Sequence, residues 1–225
     1  MAARRRSQKQ KLVDFITFPV RALTLFHEDR YGLSCLATER FDYVARRVQG
    51  YCLDIGCGPG NRFVRDFLDG NGVGLDVYPY EGLTDSNIVP DFLSLPFPDA
   101  TFDTVTFIAN LNHAPRSQRD AELQEAFRVL KPGGNIIITM GNFLAEILVH
   151  KLVALYDRVF VTALDIDGQR GMNVEEDYYL RPREIRQRLR RAGFIKISRE
   201  FFLTQWCLNS LFIGWKPHQS ESRAL

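Results

Sequence analysis

The stretch Tyr51-Cys52-Leu53-Asp54-Ile55-Gly56-Cys57-Gly58-Pro59-Gly60 constrains the fold of this chain more than any other. A short apolar run that stops at a glycine cluster is the mark of a strand buried on both faces. The backbone must then turn sharply while approaching a neighbour closely. A Cβ would obstruct both tasks, so glycine is the fitting residue. A helix is expected over 61–69. Further short apolar runs predict strands at 73–77, 87–89, 102–108, 135–140, 195–203 and 209–215. Helical patterns occupy 12–26 (interrupted at Pro19), 36–48 and 182–192, with Pro182 at a helix start and Gly193 at its end. Ser117 with Asp120 resembles a capping box opening a helix to about Leu130, and Lys131-Pro132-Gly133-Gly134 reads as a turn. Strands alternating with helices imply an α/β fold, a doubly wound and mostly parallel seven-stranded sheet covered on both faces. The last two strands are close in sequence and should pair as an antiparallel hairpin. In such a sheet the ligand crevice lies at the carboxyl ends of the strands.

The second constraint is Asp76, at the end of the second strand and about 20 residues past the loop, where a carboxylate can accept from ribose hydroxyls. The loop departs from the dinucleotide fingerprint GxGxxG, because its third glycine comes one place early and Asn61 holds the last position. That argues against a nicotinamide dinucleotide. The motifs LDIGCGPG, GLDV, PDFLSLPFPDATFDTV and RVLKPGG, in this order, resemble the class I S-adenosylmethionine (SAM)-dependent methyltransferases, most of all the quinone-biosynthesis subgroup. The resemblance covers about residues 40–140, with a weaker echo over 178–215. It implies a Rossmann-like fold and a methyltransferase that uses SAM and releases S-adenosylhomocysteine.

The resemblance also assigns roles by position. The loop Asp54, Gly56, Cys57, Gly58 and Gly60 would cradle the methionine end of SAM. Asp76 would take the ribose, and Val77 with Tyr78 would border the adenine. Asp91 would accept from the adenine amino group, with Phe92 or Leu93 beside the ring, and Asn110 would touch the methionyl part. One departure stands out: Pro79, Gly82 and Pro90 break the short segment between Asp76 and Asp91, where the family places a full helix.

Methyl transfer from a sulfonium needs alignment of acceptor, methyl and sulfur, and a base only when the acceptor must lose a proton. His113, just past the fourth strand, is the candidate base; the alternative is a histidine that hydrogen-bonds its own loop or caps the next helix. His27 and His150 sit in helical patterns, and no residues show metal-ligand spacing, so no metal is expected. Residues 143–160 form a broadly apolar helical pattern, either a core helix or the roof of a pocket for an apolar acceptor. Glu175-Glu176-Asp177 followed by Tyr178-Tyr179 reads as a solvated loop or the acceptor entrance. The expected organisation is an N-terminal helical segment or lid at 1–48, a SAM-binding domain at 49–217 with a helical insertion about 142–180, and a tail at 218–225.

Net charge is only +2, too small to imply nucleic-acid binding by itself. Arginines crowd 181–191, a pattern usual for a solvated helix and compatible with an anionic acceptor or RNA. They lack the interleaved aromatic residues of a stacking surface. Residues 1–10 read as a frayed basic tail beside the apolar 12–26, which is compatible with peripheral membrane contact. The four cysteines form no CxxC pair and are expected as free thiols of a cytoplasmic protein without a secretory signal or membrane span. The leading expectation is methylation of a small-molecule or lipid-like acceptor. The alternatives are an RNA or protein methyltransferase, or a SAM-binding protein without catalysis. Nothing in the sequence signals oligomeric state.

Overall fold

The computed structural model describes residues 6–25, 28–142 and 179–218. The expected helix at 143–160, the acidic loop at 175–178, His27, His150 and most of the tail lie outside them. Three helices come first: α1 (Gln8–Ile16), α2 (Phe18–Thr24) and α3 (Leu36–Ala45). Strands and helices then alternate: β1 (Cys52–Ile55), α4 (Arg62–Phe67), β2 (Gly72–Leu75), β3 (Phe102–Ile108), α5 (Arg119–Val129) and β4 (Leu130–Gly141). The final elements are α6 (Pro182–Arg191), β5 (Ile195–Phe201) and β6 (Asn209–Trp215).

The strands form one sheet in the order β2-β1-β3-β4-β6-β5. β2, β1, β3 and β4 run parallel, whereas β6 is antiparallel to both β4 and β5. β1 is buried at all four positions, as its apolar run requires at the centre of a doubly covered sheet. One face packs Leu123, Ala126 and Val129 of α5 with Ile185 and Leu189 of α6. The other packs Val44 of α3 with Phe63 and Phe67 of α4. β2 lies on one side of β1 and β3 on the other, so the strand order reverses and the topological switch point lies between β1 and β3.

Six strands stand where seven were expected among the described residues. The segment 87–89 makes only the single parallel bridge Asp76–Ile88. A full parallel crossover takes a dozen or more residues and usually a helix. Here the connection is a 3₁₀ turn, Asp85–Asn87, closed by a capping box between Thr84 and Asn87. At α5, by contrast, the N-cap is Gln118, one residue past the expected Ser117, and the Gln118 side chain makes no cap bond. The expected turn Lys131–Gly134 lies inside β4. It is accommodated as an irregularity against β3, where the register passes from Phe102–Leu130 to Thr104–Asn135.

The expected basic tail is also revised. Ser7 caps α1 by accepting from the Gln10 N–H at 3.1 Å. Arg6 is buried, donating to Asp14 and Glu39 at 2.7 Å and to Asp42 at 3.1 Å. The chain breaks at Thr17, and Pro19 sits in the first turn of α2, where its missing N–H leaves no bond unmade. Arg21 is fully buried and donates to the carbonyls of Asp14 (2.6 Å) and Ser34 (2.7 Å), to Glu39 (3.0 Å) and to the Thr204 carbonyl (3.3 Å). Gln205 joins the same Glu39 at 2.8 Å. A buried ion network of this kind adds little net stability, but removing one partner strands the other charges. Arg21→Ala is therefore expected to destabilise the fold by about 3–5 kcal/mol in urea unfolding. A loss below about 1 kcal/mol would show that the N-terminal helices do not depend on it.

Candidate functional site

β1 ends at Ile55 and the chain reverses over Gly56–Gly60. The N–H groups of Gly56 and Cys57 both donate to the Leu75 carbonyl, at 2.8 and 3.0 Å, which fastens the turn to the end of β2. Gly56 has φ +74°, and a Cβ there would stand 2.2 Å from Cγ of Asn110. Its absence lets the Asn110 side chain lie against the loop from just beyond β3. Gly58, at φ +64°, faces the other way, with no heavy atom within 4 Å of its Cβ direction. The loop backbone there borders open space. The Gly60 N–H is held by the Glu81 carbonyl at 2.9 Å.

Asp76 follows β2 and is 6% exposed. One carboxylate oxygen accepts the Gly58 N–H at 2.9 Å and the other the Tyr78 N–H at 3.0 Å. An ionised carboxylate offers about four lone-pair sites, so each oxygen retains acceptor capacity for a ligand hydroxyl. Val77 and Tyr78 follow as exposed side chains. The Asp76–Ile88 bridge brings the next segment alongside. Asp91 accepts the Leu93 N–H at 2.9 Å. Phe92 is turned into the core, because its neighbours Val89 and Leu95 anchor the segment there, and Leu93 is an exposed apolar residue of this loop.

Asp54 does not face the open loop. It is 1% exposed and accepts the Thr106 hydroxyl at 2.6 Å. Burial pushes its pKa up to about 7, the Thr106 bond opposes that rise, and the Asp76 charge adds to it. Burial, and after it the charges of Asp54 and Asp76, raise the Cys57 thiol.

His113 lies in the turn after β3, half-buried, with its backbone N–H on the Asn110 carbonyl at 2.8 Å. Arg119 holds this turn. It is fully buried and donates to the Ala114 carbonyl at 3.0 Å and the Asn112 carbonyl at 2.9 Å. Sequence reading missed Arg119, although it stands on the apolar face of α5, four residues before Leu123 and seven before Ala126. Glu122 was missed as well. Burial pushes it up to about 7, Arg119 opposes, and Asp91 adds to the rise.

The site therefore belongs to an α/β protein whose switch-point crevice offers an open glycine backbone, a carboxylate with spare acceptor sites and exposed apolar edges. These features fit SAM: hydroxyls for Asp76, an adenine for the flat edges, and a methionyl end for the loop. Residues 53–138 match the family model described as a methyltransferase domain. A sterol 24-C-methyltransferase of Aspergillus fumigatus is 40% identical over 97 residues, 36% of this chain and 25% of that protein. A demethylmenaquinone methyltransferase of Symbiobacterium thermophilum is 26% identical over 189 residues, 70% of this chain and 73% of that protein. The ubiquinone/menaquinone biosynthesis C-methyltransferase UbiE of Cereibacter sphaeroides is 32% identical over 139 residues, 57% of this chain and 52% of that protein. The chain thus spans about a quarter of the sterol enzyme's length and half of UbiE's. Among solved structures, a Thermotoga maritima SAM-dependent methyltransferase superposes with TM-score 0.55 at 16% identity, covering 92% of this chain and 97% of that one. The [4+2]-cyclase SpnF superposes with TM-score 0.54 at 18% identity, covering 97% and 98%. Residues 53–138 are thus similar to the methyltransferase-domain family, and the chain shares the Rossmann-like fold of the solved SAM-dependent methyltransferase.

The Asp54 pKa has a consequence for stability. The folded state holds a proton that the unfolded chain releases between pH 3.8 and about 7. Stability should therefore fall as pH rises through that window. Asp54→Asn, which keeps the acceptor for Thr106, is expected to flatten that decline in thermal melts; Glu122, raised in the same direction, keeps part of it. An unchanged slope would mean that Asp54 is ionised in the folded protein.

Proposed function

We propose that this chain transfers the methyl group of SAM to a lipid-like small molecule. One observation carries the reading: the 2.9 Å bond that joins the Gly58 N–H to Asp76 at the switch point. It places an open glycine backbone and a ribose-type acceptor side by side. In this reading Gly56, Cys57, Gly58 and Gly60 cradle the methionyl end, with Asp54 setting the loop from beneath through Thr106. Asp76 accepts from the ribose hydroxyls, and Val77, Tyr78 and Leu93 border the adenine. Asp91 accepts from its amino group, and Asn110 meets the methionyl part. When bound, the sulfonium supplies an already electrophilic methyl, so the protein's task is orientation. His113, fixed by the Arg119-held turn, accepts the proton of an acceptor that must lose one. Names among the relatives, sterol and quinone C-methyltransferases, support a lipid-like acceptor.

Isothermal calorimetry with SAM and S-adenosylhomocysteine tests the reading, and absence of heat would overturn it. Asp76→Ala is expected to weaken binding by roughly 10–100-fold, the loss of about 1.5–3 kcal/mol from charge-assisted bonds. His113→Ala should slow acceptor-dependent release of S-adenosylhomocysteine and leave nucleoside affinity in place. Equal wild-type turnover across about pH 6 to 9 would remove the base role, since a histidine base titrates near 6.5.

We also propose cytoplasmic placement with peripheral membrane contact through an N-terminal lid. Leu12, Phe15 and Ile16 are exposed on α1, and Leu203 and Trp206 are exposed on the turn it packs against. The Phe15 and Trp206 rings lie 6.3 Å apart, and the indole N–H donates to the Phe15 carbonyl at 2.9 Å. No described helix is long and apolar enough to cross a membrane. Exposed apolar groups of this kind suit an interface. Ile16→Ser with Leu203→Ser should cut cosedimentation with liposomes; undiminished binding would locate the contact elsewhere.

A further inference from the structure

The first turn of α6 carries a second feature that SAM binding does not use. A groove of about 1060 Å³ is lined by Arg116, Tyr179, Arg181, Arg183, Glu184 and Arg186. It continues into a smaller hollow of about 400 Å³ shared by Arg183, Arg186, Gln187 and Arg190. Among the described residues, Arg181, Arg183 and Arg186 outnumber the one carboxylate lining the groove, Glu184. Glu184 is already committed to Arg188 at 3.0 Å, and Asp120 takes the same arginine at 2.6 Å. Among the described residues, Arg181, Arg183, Arg186 and Arg190 have no ion pair. Arg199 stands close behind: it lies 4.4 Å from the Phe201 ring centroid and donates to the Ser210 hydroxyl at 3.0 Å. Burial lowers its pKa, Tyr179 opposes, and Arg186 lowers it further. Gathering guanidinium groups in this way is unfavourable in the absence of an anion.

The groove has a defined place in the fold. The Arg188–Asp120 pair sets the third quarter of α6 beside the first turn of α5. The first turn of α6 therefore projects past the start of α5, level with the loop after β3. Arg116 comes from that loop, three residues beyond His113. The groove thus opens at the reaction edge of the sheet.

We propose that this groove binds a phosphate group on the methyl acceptor, an inference that rests on the methyltransferase reading above. Guanidinium forks match phosphate oxygens bidentately. The excess of positive charge exceeds what a single carboxylate would neutralise, whereas a phosphate monoester carries about −1.5 to −2 near neutral pH. The groove is far larger than a phosphate ion, so the anion arrives attached to a larger body. RNA is disfavoured, because Tyr179 is the one aromatic side chain among the described residues lining the groove and successive bases need several stacking surfaces.

The test uses the full chain saturated with S-adenosylhomocysteine and the soluble amphiphile dihexanoyl phosphatidic acid as probe. Calorimetry should show binding that weakens with salt, and by at least about tenfold in Arg183→Gln/Arg186→Gln. Arg183→Lys/Arg186→Lys should fall between, retaining charge without the fork. Arg191→Gln, outside the groove, should bind as the parent does. Unchanged S-adenosylhomocysteine affinity in the double variant separates this proposal from the nucleoside site; if no chain binds the nucleoside, the methyltransferase reading fails first. Three results would overturn the phosphate groove: equal binding of dihexanoyl phosphatidylcholine, unchanged probe affinity in the double variant, or binding of single-stranded RNA in place of the probe. Inorganic phosphate binding as tightly as the amphiphile would mark a free-phosphate site and overturn the assignment to the acceptor.

Discussion

The hydrogen bond from Gly58 to Asp76 is the contact on which the rest of the site depends. β1 and β2 pair over only four residues each, and the loop that follows β1 has only the 3₁₀ turn Pro59–Asn61 before α4. A carboxylate buried at this depth is tolerable only when its oxygens are hydrogen-bonded. Gly58 and Tyr78 supply those bonds from opposite sides, one from the loop and one from the strand end. The same carboxylate therefore closes the turn and remains an acceptor. Any ligand with vicinal hydroxyls meets a group already oriented, and no reorganisation is needed to present it.

The short connection after Asp76 follows from the same economy of chain. A helix between β2 and the next strand would shield the crevice from that side. Here the chain turns back through the capping box at Thr84 and Asn87, and the Asn87 amide donates to the Gly74 carbonyl at 2.8 Å. The expected seventh strand contracts to one bridge, and its loss leaves Val77, Tyr78 and Leu93 exposed at the crevice rim. Pro79, Gly82 and Pro90 were the legible sign of this, since each disfavours a continuous helix at its position.

The parts of the fold governed by local rules could be read from sequence. The buried β1, the glycine loop, β3 and the closing hairpin each follow from hydrophobic period and turn chemistry, and the place of Asp76 at the end of β2 from its spacing to the loop. What escaped was fixed by distant partners. Arg6 and Arg21 look like surface charges until α1 and α2 meet Glu39 and the turn at 203–205, and Arg21 reaches a carbonyl 183 residues away. Arg119 looks like a helix-surface residue until the carbonyls of Asn112 and Ala114 fold back over it. Ser117 suggested a cap for α5, whose N-cap is the next residue, Gln118. In each case the pattern specifies which groups need partners and tertiary packing decides which partners they find.

The fold alone does not choose the reaction, since the [4+2]-cyclase SpnF shares it over nearly its whole length. The choice must come from the acceptor side, and there the described residues converge on one edge of the sheet. β6 pairs its start with the end of β4, so the turn at 203–205 lies at the same edge as the glycine loop. The buried network of Arg6, Arg21 and Glu39 fastens α1 to that turn, and with it the exposed Leu12, Phe15 and Ile16. Arg119 fixes the His113 turn at this edge, and the arginine groove of α6 opens beside it. In the proposed reading, the apolar surface, the candidate base and the arginine groove would together receive an amphiphile beside one crevice. Its apolar body and charged end would both be engaged before its reacting atom meets the methyl group.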